Sequence, residues 1–234
     1  MQAIIPCAGT GTRLHPYTLE RPKCLVEICN KPILDYQIEA IRSCDIHDIT
    51  VVVGYMRDMM IDYCIQHNIQ YIINDQFSHT NSLYSFMLCR PHIHDDILLL
   101  NGDLVINNIA LAQLINYPQS TAVLVDNQCH IDPSEMNISI TDGLVTDFSK
   151  TIPVHLAHAR SMQVVKFSHN DIQLVMQRGQ SIIDSDPHSK TFPPHAYDIV
   201  FKHSKMYPVY HKHGYCYEID NPIDLRYTED NLCP

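Results

Sequence analysis

The run Asp48-Ile-Thr-Val-Val-Val-Gly54 constrains this chain more than any other stretch. Five successive β-branched residues closed by glycine leave no side for solvent, which predicts a strand covered on both faces. Such strands belong to parallel sheets with helices packed above and below. Shorter apolar runs at 2–6, 71–73 and 97–100 read as further strands. Between them, Pro32 is placed to open a helix carrying Leu34, Ile38 and Ile41 on one face, and helices are predicted over 56–67 and 82–89. Strand and helix alternate through short linkers. The expected fold class is therefore α/β: a Rossmann-like, doubly wound, mostly parallel sheet with ligands at the carboxyl ends of its strands.

The pattern changes after Asn107. A helix to 116 and a strand at 121–126 precede two strands, 137–141 and 144–148, around Asp142-Gly143, a strong hairpin signal. A strand at 160–167 and a helix over 170–179 follow, then a loop over 184–195 containing Pro187, Pro193 and Pro194. Another helix, a strand at 215–219 and a last helix begun by Asn221-Pro222 close the chain. The second half thus adds antiparallel strands, and one domain over 1–234 is expected, with halves 1–107 and 108–234. Nothing beyond the last helix suggests an appended acyltransferase or repeat domain.

With 234 residues, 45% of them hydrophobic and 18% charged, the chain suffices for one substantial core. A formal net charge of −10 excludes nucleic acid and anionic membranes as natural partners, since both select basic surfaces. A small anion held by a few local cations is compatible with it. There is no secretory signal pattern and no apolar run of the roughly 18 residues that cross a bilayer, so a soluble, cytoplasmic protein is expected. Nine scattered cysteines without a C-x-x-C pair predict reduced, buried thiols and no disulfide framework. His92-x-His94 and His211-x-His213 raise a metal reading, but spacing supplies no third or fourth ligand. A homo-oligomer stays open.

Chemistry concentrates near the N-terminus. Gly9-Thr10-Gly11 follows the first strand and lets backbone N–H groups approach an anion, with Arg13 and Lys23 as counter-charges. It is neither a Walker A loop nor a dinucleotide fingerprint, because Leu14 stands where a third glycine would be. Asn101-Gly-Asp103 ends the 97–100 run, and Asp220 again lies between a strand and a helix. Carboxylates at strand ends suit Mg²⁺, which takes one or two of them plus phosphate oxygens.

Taken together, Gly9, Gly11, Thr12, Arg13, Leu14, Pro16, Thr18, Pro22, Lys23, Leu25, Val26, Lys31 and Pro32 resemble the G-x-G-T-R-L-x-P-x-T-x-x-x-P-K-x-L signature of nucleotidyltransferases that join a nucleoside triphosphate to a phosphorylated small molecule. The resemblance implies a nucleotide-binding first half with Ala8, Gly9, Thr10, Gly11, Thr12, Arg13, Lys23, Asn74, Asn81 and Ser82 at the triphosphate. It implies Lys23 and Arg13 as catalytic cations, and Mg²⁺ on Asp103 and Asp220. The stretch Asn74-Asp75 to Thr80-Asn81-Ser82-Leu83-Tyr84-Ser85 looks like the branch that makes CDP-linked choline, phosphonate or amino-alcohol products from CTP. Asp35-Tyr36-Gln37-Ile38-Glu39, Phe148-Ser149-Lys150 and Tyr217-Glu218-Ile219-Asp220 are similar to it too. Lys150, Tyr84, Tyr197 and Tyr217 are then candidates for the acceptor. Lys150 reads equally as a solvated lysine. Gln163 stands where such enzymes commonly carry glycine. A sugar-1-phosphate enzyme using UTP or dTTP is the alternative, and a nucleotide-binding homologue without chemistry is the non-enzymatic one. The acceptor's head group stays open.

Overall fold

The computed structural model describes residues 1–186 and 190–233. The first strand, β1 (Gln2–Pro6), has β4 (Asp48–Val53) parallel on one side and β6 (Ile97–Leu100) parallel on the other. The short β2 (Glu27–Ile28) and β3 (Lys31–Pro32) form a separate hairpin. Helix α1 (Ile33–Ser43) links this hairpin to β4, and α2 (Arg57–Gln66) links β4 to β5 (Gln70–Ile73), which extends the parallel set. Helix α3 (Ser82–Met87) then leads back to β6. The order β6-β1-β4-β5 reverses direction of travel between β1 and β6. That switch point is where connections diverge and a crevice opens at the strand ends.

The rest of the sheet is built largely, as expected, from antiparallel strands. After β7 (Leu104–Ile106) and α4 (Asn108–Ile115) come β8 (Ala122–Asp126), β9 (Asn137–Thr141), β10 (Leu144–Ser149) and β11 (Ala159–Phe167). Strand β11 runs antiparallel to β6, β8 and β9 and joins the two halves into a nine-stranded sheet. The β9–β10 turn has Asp142 and Gly143 both at positive φ, the two-residue geometry matched to strand twist. Helices α5 (His169–Ser185) and α6 (Asp198–His203), strands β12 (Tyr207–Tyr210) and β13 (Cys216–Glu218), and α7 (Pro222–Leu232) complete the chain. Strands β1, β4 and β6 separate two apolar layers: Leu34, Ile38, Ile41 and Met60 pack on one face, Phe86, Ile172, Val175 and Tyr197 on the other.

Several expectations are corrected. Pro32 is extended and precedes α1, so Ile33 is the first helical residue. Helix α5 continues past Gly179, where a helix end was expected: a Cβ there would lie 2.5 Å from Met87 Sδ, so the glycine serves the close approach of α5 to α3. Strand β12 lies outside the expected strands; it sits at the sheet's border and pairs with β8 alone, where the missing N–H of Pro208 is tolerated. Of the loop expected over 184–195, residues 187–189 lie outside the described residues. No described helix is long and apolar enough to cross a membrane.

The thiol expectation fails at one pair. Cys29, in the β2–β3 turn, is disulfide-bonded to Cys233, just beyond α7, with Cα atoms 5.5 Å apart across a sequence separation of 204. The other seven cysteines are free, and burial raises the Cys64 and Cys89 thiols to about 12. Thiol titration of the denatured, unreduced protein should count seven of nine; a count of nine would exclude the link.

Lys166 is the unusual member of the core. It is 4% exposed on β11, and its ammonium donates to the carbonyls of Ile115 (3.2 Å), the last residue of α4, and Tyr117 (2.8 Å), just beyond it. Burial lowers its pKa, with Asp96 opposing the shift. Replacing Lys166 by Met keeps the apolar stem and orphans both carbonyls, which should cost about 2 kcal/mol in urea denaturation.

Candidate active site

The carboxyl ends of β1 and β6 carry the two key loops. The Ala8–Gly11 turn leaves β1, with Ala8 anchored through its carbonyl to the Tyr55 N–H at 3.0 Å. Gly11 has φ 63, and a Cβ there would meet the Lys23 Cβ at 2.9 Å, so the glycine is required both for the turn and for room beside Lys23. Its carbonyl accepts from the buried Thr18 hydroxyl at 2.9 Å. This bond folds the 12–22 segment back and delivers Lys23 under the turn.

The second loop is Asn101-Gly-Asp103. Its backbone is held by Gln37, a fully buried α1 residue whose amide donates to the carbonyls of Asn101 (3.1 Å) and Leu104 (2.9 Å). Beyond it, β7 pairs antiparallel with β13, and the Ile219 N–H donates to the Asp103 carbonyl at 2.9 Å. That pairing carries Asp220 across the sequence to Asp103. Asp220 is fixed in turn by the start of α7: Asn221 accepts from the N–H groups of Ile223 and Asp224, while Asp224 accepts from those of Asp220 and Asn221. This is a capping box, closed by Asp224 at the third helical position.

Four charged side chains converge there. The Lys23 ammonium lies 2.7 Å from Asp103 Oδ2 and 2.8 Å from Asp220 Oδ1, with all three side chains 14–18% exposed. Arg13, 68% exposed, donates to the same Asp220 oxygen at 2.9 Å. Burial works against the Lys23 charge, but the two carboxylates outweigh it and hold its pKa above the ordinary lysine value. Burial likewise disfavours the Asp220 carboxylate, and Lys23 and Arg13 reverse that, leaving its pKa lowered. At Glu218 the balance goes the other way: burial first, then Asp103, Asp220 and Glu135, push its carboxyl well above the usual range, and Lys23 opposes them without reversing the shift.

Asp103, Glu218 and Asp220 offer oxygens within 4.8 Å of one another, the one group among the described residues that could hold a metal ion. Asp103 Oδ1 is buried without a hydrogen-bond partner. An orphaned carboxylate oxygen beside two more carboxylates fits a hard divalent cation, which takes oxygen ligands. The histidine pairs form no such group; His94 instead contacts Asp48 at 3.4 Å.

A cleft of about 300 Å³ runs over these residues. Ala8, Gly9, Gly11, Thr12, Arg13, Lys23, Asn74, Asn81, Ser82, Asp103, Lys150 and Asp220 all line it; of the residues expected at the nucleotide, Thr10 does not. Asn74 is committed to structure, donating to Ser85 Oγ at 3.0 Å and accepting from the Gln76 N–H. Asn81 caps α3 and donates to the Lys190 carbonyl. Lys150 donates to the Ser134 carbonyl at 2.8 Å and stands 5.8 Å over the Phe192 ring.

The three tyrosines are elsewhere. Tyr197 is 1% exposed, packed edge-on against Phe148 and Phe167 in the core. Tyr217 stacks on Tyr215 and meets Tyr227 on α7, and Tyr84 is not among the residues that line the cleft. Their nearness to motifs along the sequence did not carry over into space. Glu218, Gln37, Met136 and Phe192 were not assigned roles from sequence. Glu218 alone had a usable signal, because it sits two residues before Asp220, the spacing that shares one side of an extended chain.

Fold and site together define an α/β protein with a strand-end cleft in which a lysine, an arginine and three carboxylates meet. Residues 2–136 match the model of the nucleotidyl transferase family, and the chain belongs to that family. It is 31% identical to CTP:phosphoglutamine cytidylyltransferase of Campylobacter jejuni over 75% of this chain and 76% of that protein. It is 34% identical to choline-phosphate cytidylyltransferase of Streptococcus pneumoniae over 42% of this chain and 43% of that protein. A solved structure of the CTP:phosphocholine cytidylyltransferase from S. pneumoniae superposes with TM-score 0.81 at 21% identity, over 99% of this chain and 98% of that one, a likeness of fold.

Neutralising either aspartate removes a charge that no neighbour replaces. Asp103→Asn and Asp220→Asn should each lower kcat by about a hundredfold or more while circular dichroism stays unchanged. Near-normal turnover by either variant would show that its carboxylate is dispensable.

Proposed function

We propose that this chain is a cytidylyltransferase that joins CTP to a phosphorylated small molecule, giving a CDP-linked product and pyrophosphate. The observation that carries the reading is the convergence of Lys23 with Asp103 and Asp220 beside the Ala8–Gly11 turn in one cleft. The cleft draws its lining from both halves of the chain, which supports residues 1–107 as the nucleotide-binding half and 108–234 as the acceptor-binding half of one unit.

In this reading the acceptor's phosphate or phosphonate oxygen attacks the α-phosphorus of CTP. The new P–O bond forms as the bond to the β-phosphate bridge oxygen breaks, and that electron pair leaves with pyrophosphate. The attacking oxygen is already anionic, so no general base is needed. Lys23 exchanges its carboxylate partners for triphosphate oxygens and steadies charge growing on the transferred phosphorus; Arg13, exposed at the mouth, meets the departing pyrophosphate. Asp103 and Asp220, joined by Glu218, would hold Mg²⁺, which when bound neutralises phosphate charge. Lys150 is the cation available for the acceptor's phosphate on the far side of the cleft. The chemistry is positioning and electrostatics.

The cytidine preference draws support from the cytidylyltransferases of similar sequence. Pyrophosphate release should be at least about tenfold faster with CTP than with UTP, dTTP, ATP or GTP, the span that about 1.4 kcal/mol of base discrimination supplies. The panel of acceptors is phosphocholine, 2-aminoethylphosphonate, phosphoglutamine and glucose 1-phosphate. Faster release with UTP or dTTP and glucose 1-phosphate would replace the reading with a sugar-nucleotide synthesis.

A further inference from the structure

Gln163 occupies a backbone conformation that side chains avoid. Its φ is 58, in the left-handed region, in the middle of β11. The strand is irregular there: between Ser161 and Val165 its register against β8 shifts. On its other edge β11 is paired with β9 at Ala159 and Arg160 and with β6 from Val164 onward. Gln163 thus sits at the gap where one neighbour stops and the other begins. Its carbonyl accepts from the Asn101 N–H at 3.2 Å, which ties it to the loop carrying Asp103.

A turn of this kind is satisfied by glycine at no steric cost. A long side chain at a strained backbone position is held there by its surroundings and points to function. Gln163 lines the cleft with Met136, Lys150, Phe192 and Glu218, on the side contributed by the second half. Among the described residues no hydrogen bond to its terminal amide is formed, although its own N–H is used by Ser161 Oγ at 3.0 Å.

The cleft's aromatic content sets the chemistry. Among the described residues two aromatic rings line it, Phe77 and Phe192, and Phe77 is packed near Tyr55 of the first half. A quaternary ammonium is held by several ring faces, tryptophan best, and the chain has no tryptophan. A primary amide offers both a donor and an acceptor. We propose that Gln163 is the specificity-determining residue for the acceptor's head group, selecting by hydrogen bonding a polar group such as an amide over a trimethylammonium. This inference rests on the cytidylyl-transfer reading above.

The test follows pyrophosphate release from CTP with three acceptors of one series: phosphocholine, phosphoethanolamine and N-acetylphosphoethanolamine. Wild-type protein should use the N-acetyl compound at lower KM than phosphocholine. Gln163→Gly and Gln163→Met should each raise the KM for the N-acetyl compound by about tenfold or more, because a site built to hydrogen-bond discriminates strongly. The KM for CTP and for phosphocholine should move less than about twofold by the same reasoning, since neither has a hydrogen bond to the amide to lose. The Tm of Gln163→Gly should equal or exceed that of the wild type, because glycine relieves the left-handed backbone. A wild-type preference for phosphocholine, an unmoved KM for the N-acetyl compound, or equal losses with all acceptors accompanied by a lower Tm would each overturn the assignment and leave the transferase reading intact. Absence of turnover from CTP with every acceptor tested would overturn both.

Discussion

Three carboxylates and a lysine crowded at the ends of the central strands are an arrangement that only a rigid frame can hold. Asp103, Glu218 and Asp220 repel one another in a partly dry setting, and Lys23 between two of them offsets part of that repulsion. The frame is backbone pairing. Strand β13 lies against β7, the Ile219 N–H is bonded to the Asp103 carbonyl, and Gln37 clamps the same loop from below. Without these neutral bonds the charged groups would spread into water, where their hydration is better. Function therefore depends on groups that touch no substrate.

The same frame reconciles the net charge of −10 with the polyanionic substrates proposed for the cleft. Affinity for phosphate does not require a basic surface when a few cations and a glycine turn are delivered to one crevice. Lys23 reaches the crevice because Thr18 pins the segment to Gly11, and Arg13 because it follows the turn directly. The acidic trio beside them offers oxygens of the kind a hard divalent cation takes. Local geometry outweighs the overall balance, since fields from exposed charges decay over about 8 Å at physiological salt.

Much of the fold was legible in order. The β-branched run of β4, the apolar β6, the Asp142-Gly143 hairpin and the Asn221-Pro222 helix start are local signals whose physics acts within a few residues, and each forms where the sequence predicts it. Misreadings came where a local rule met a tertiary need. Gly179, the expected helix end, is a packing surface against Met87, and Pro208 is tolerated within an unexpected strand that pairs on a single side. Cys29 and Cys233 carry no mark in the sequence that they meet, because 204 residues separate them.

At the cleft the division is the same. The sequence by itself determined the strand-end loops, the residues Gly9, Gly11, Arg13, Lys23, Asp103 and Asp220, and the family, because these lie in contiguous or strictly ordered motifs. Only the tertiary structure decided that Glu218 joins the aspartates, that Tyr197 belongs to the core, and that Gln163 lines the cleft with a positive φ. Those outcomes depend on strand pairing across 50 to 120 residues, as between β7 and β13 or β6 and β11. A side chain's neighbours across a sheet are set by register and twist, and no stretch of sequence read alone contains them.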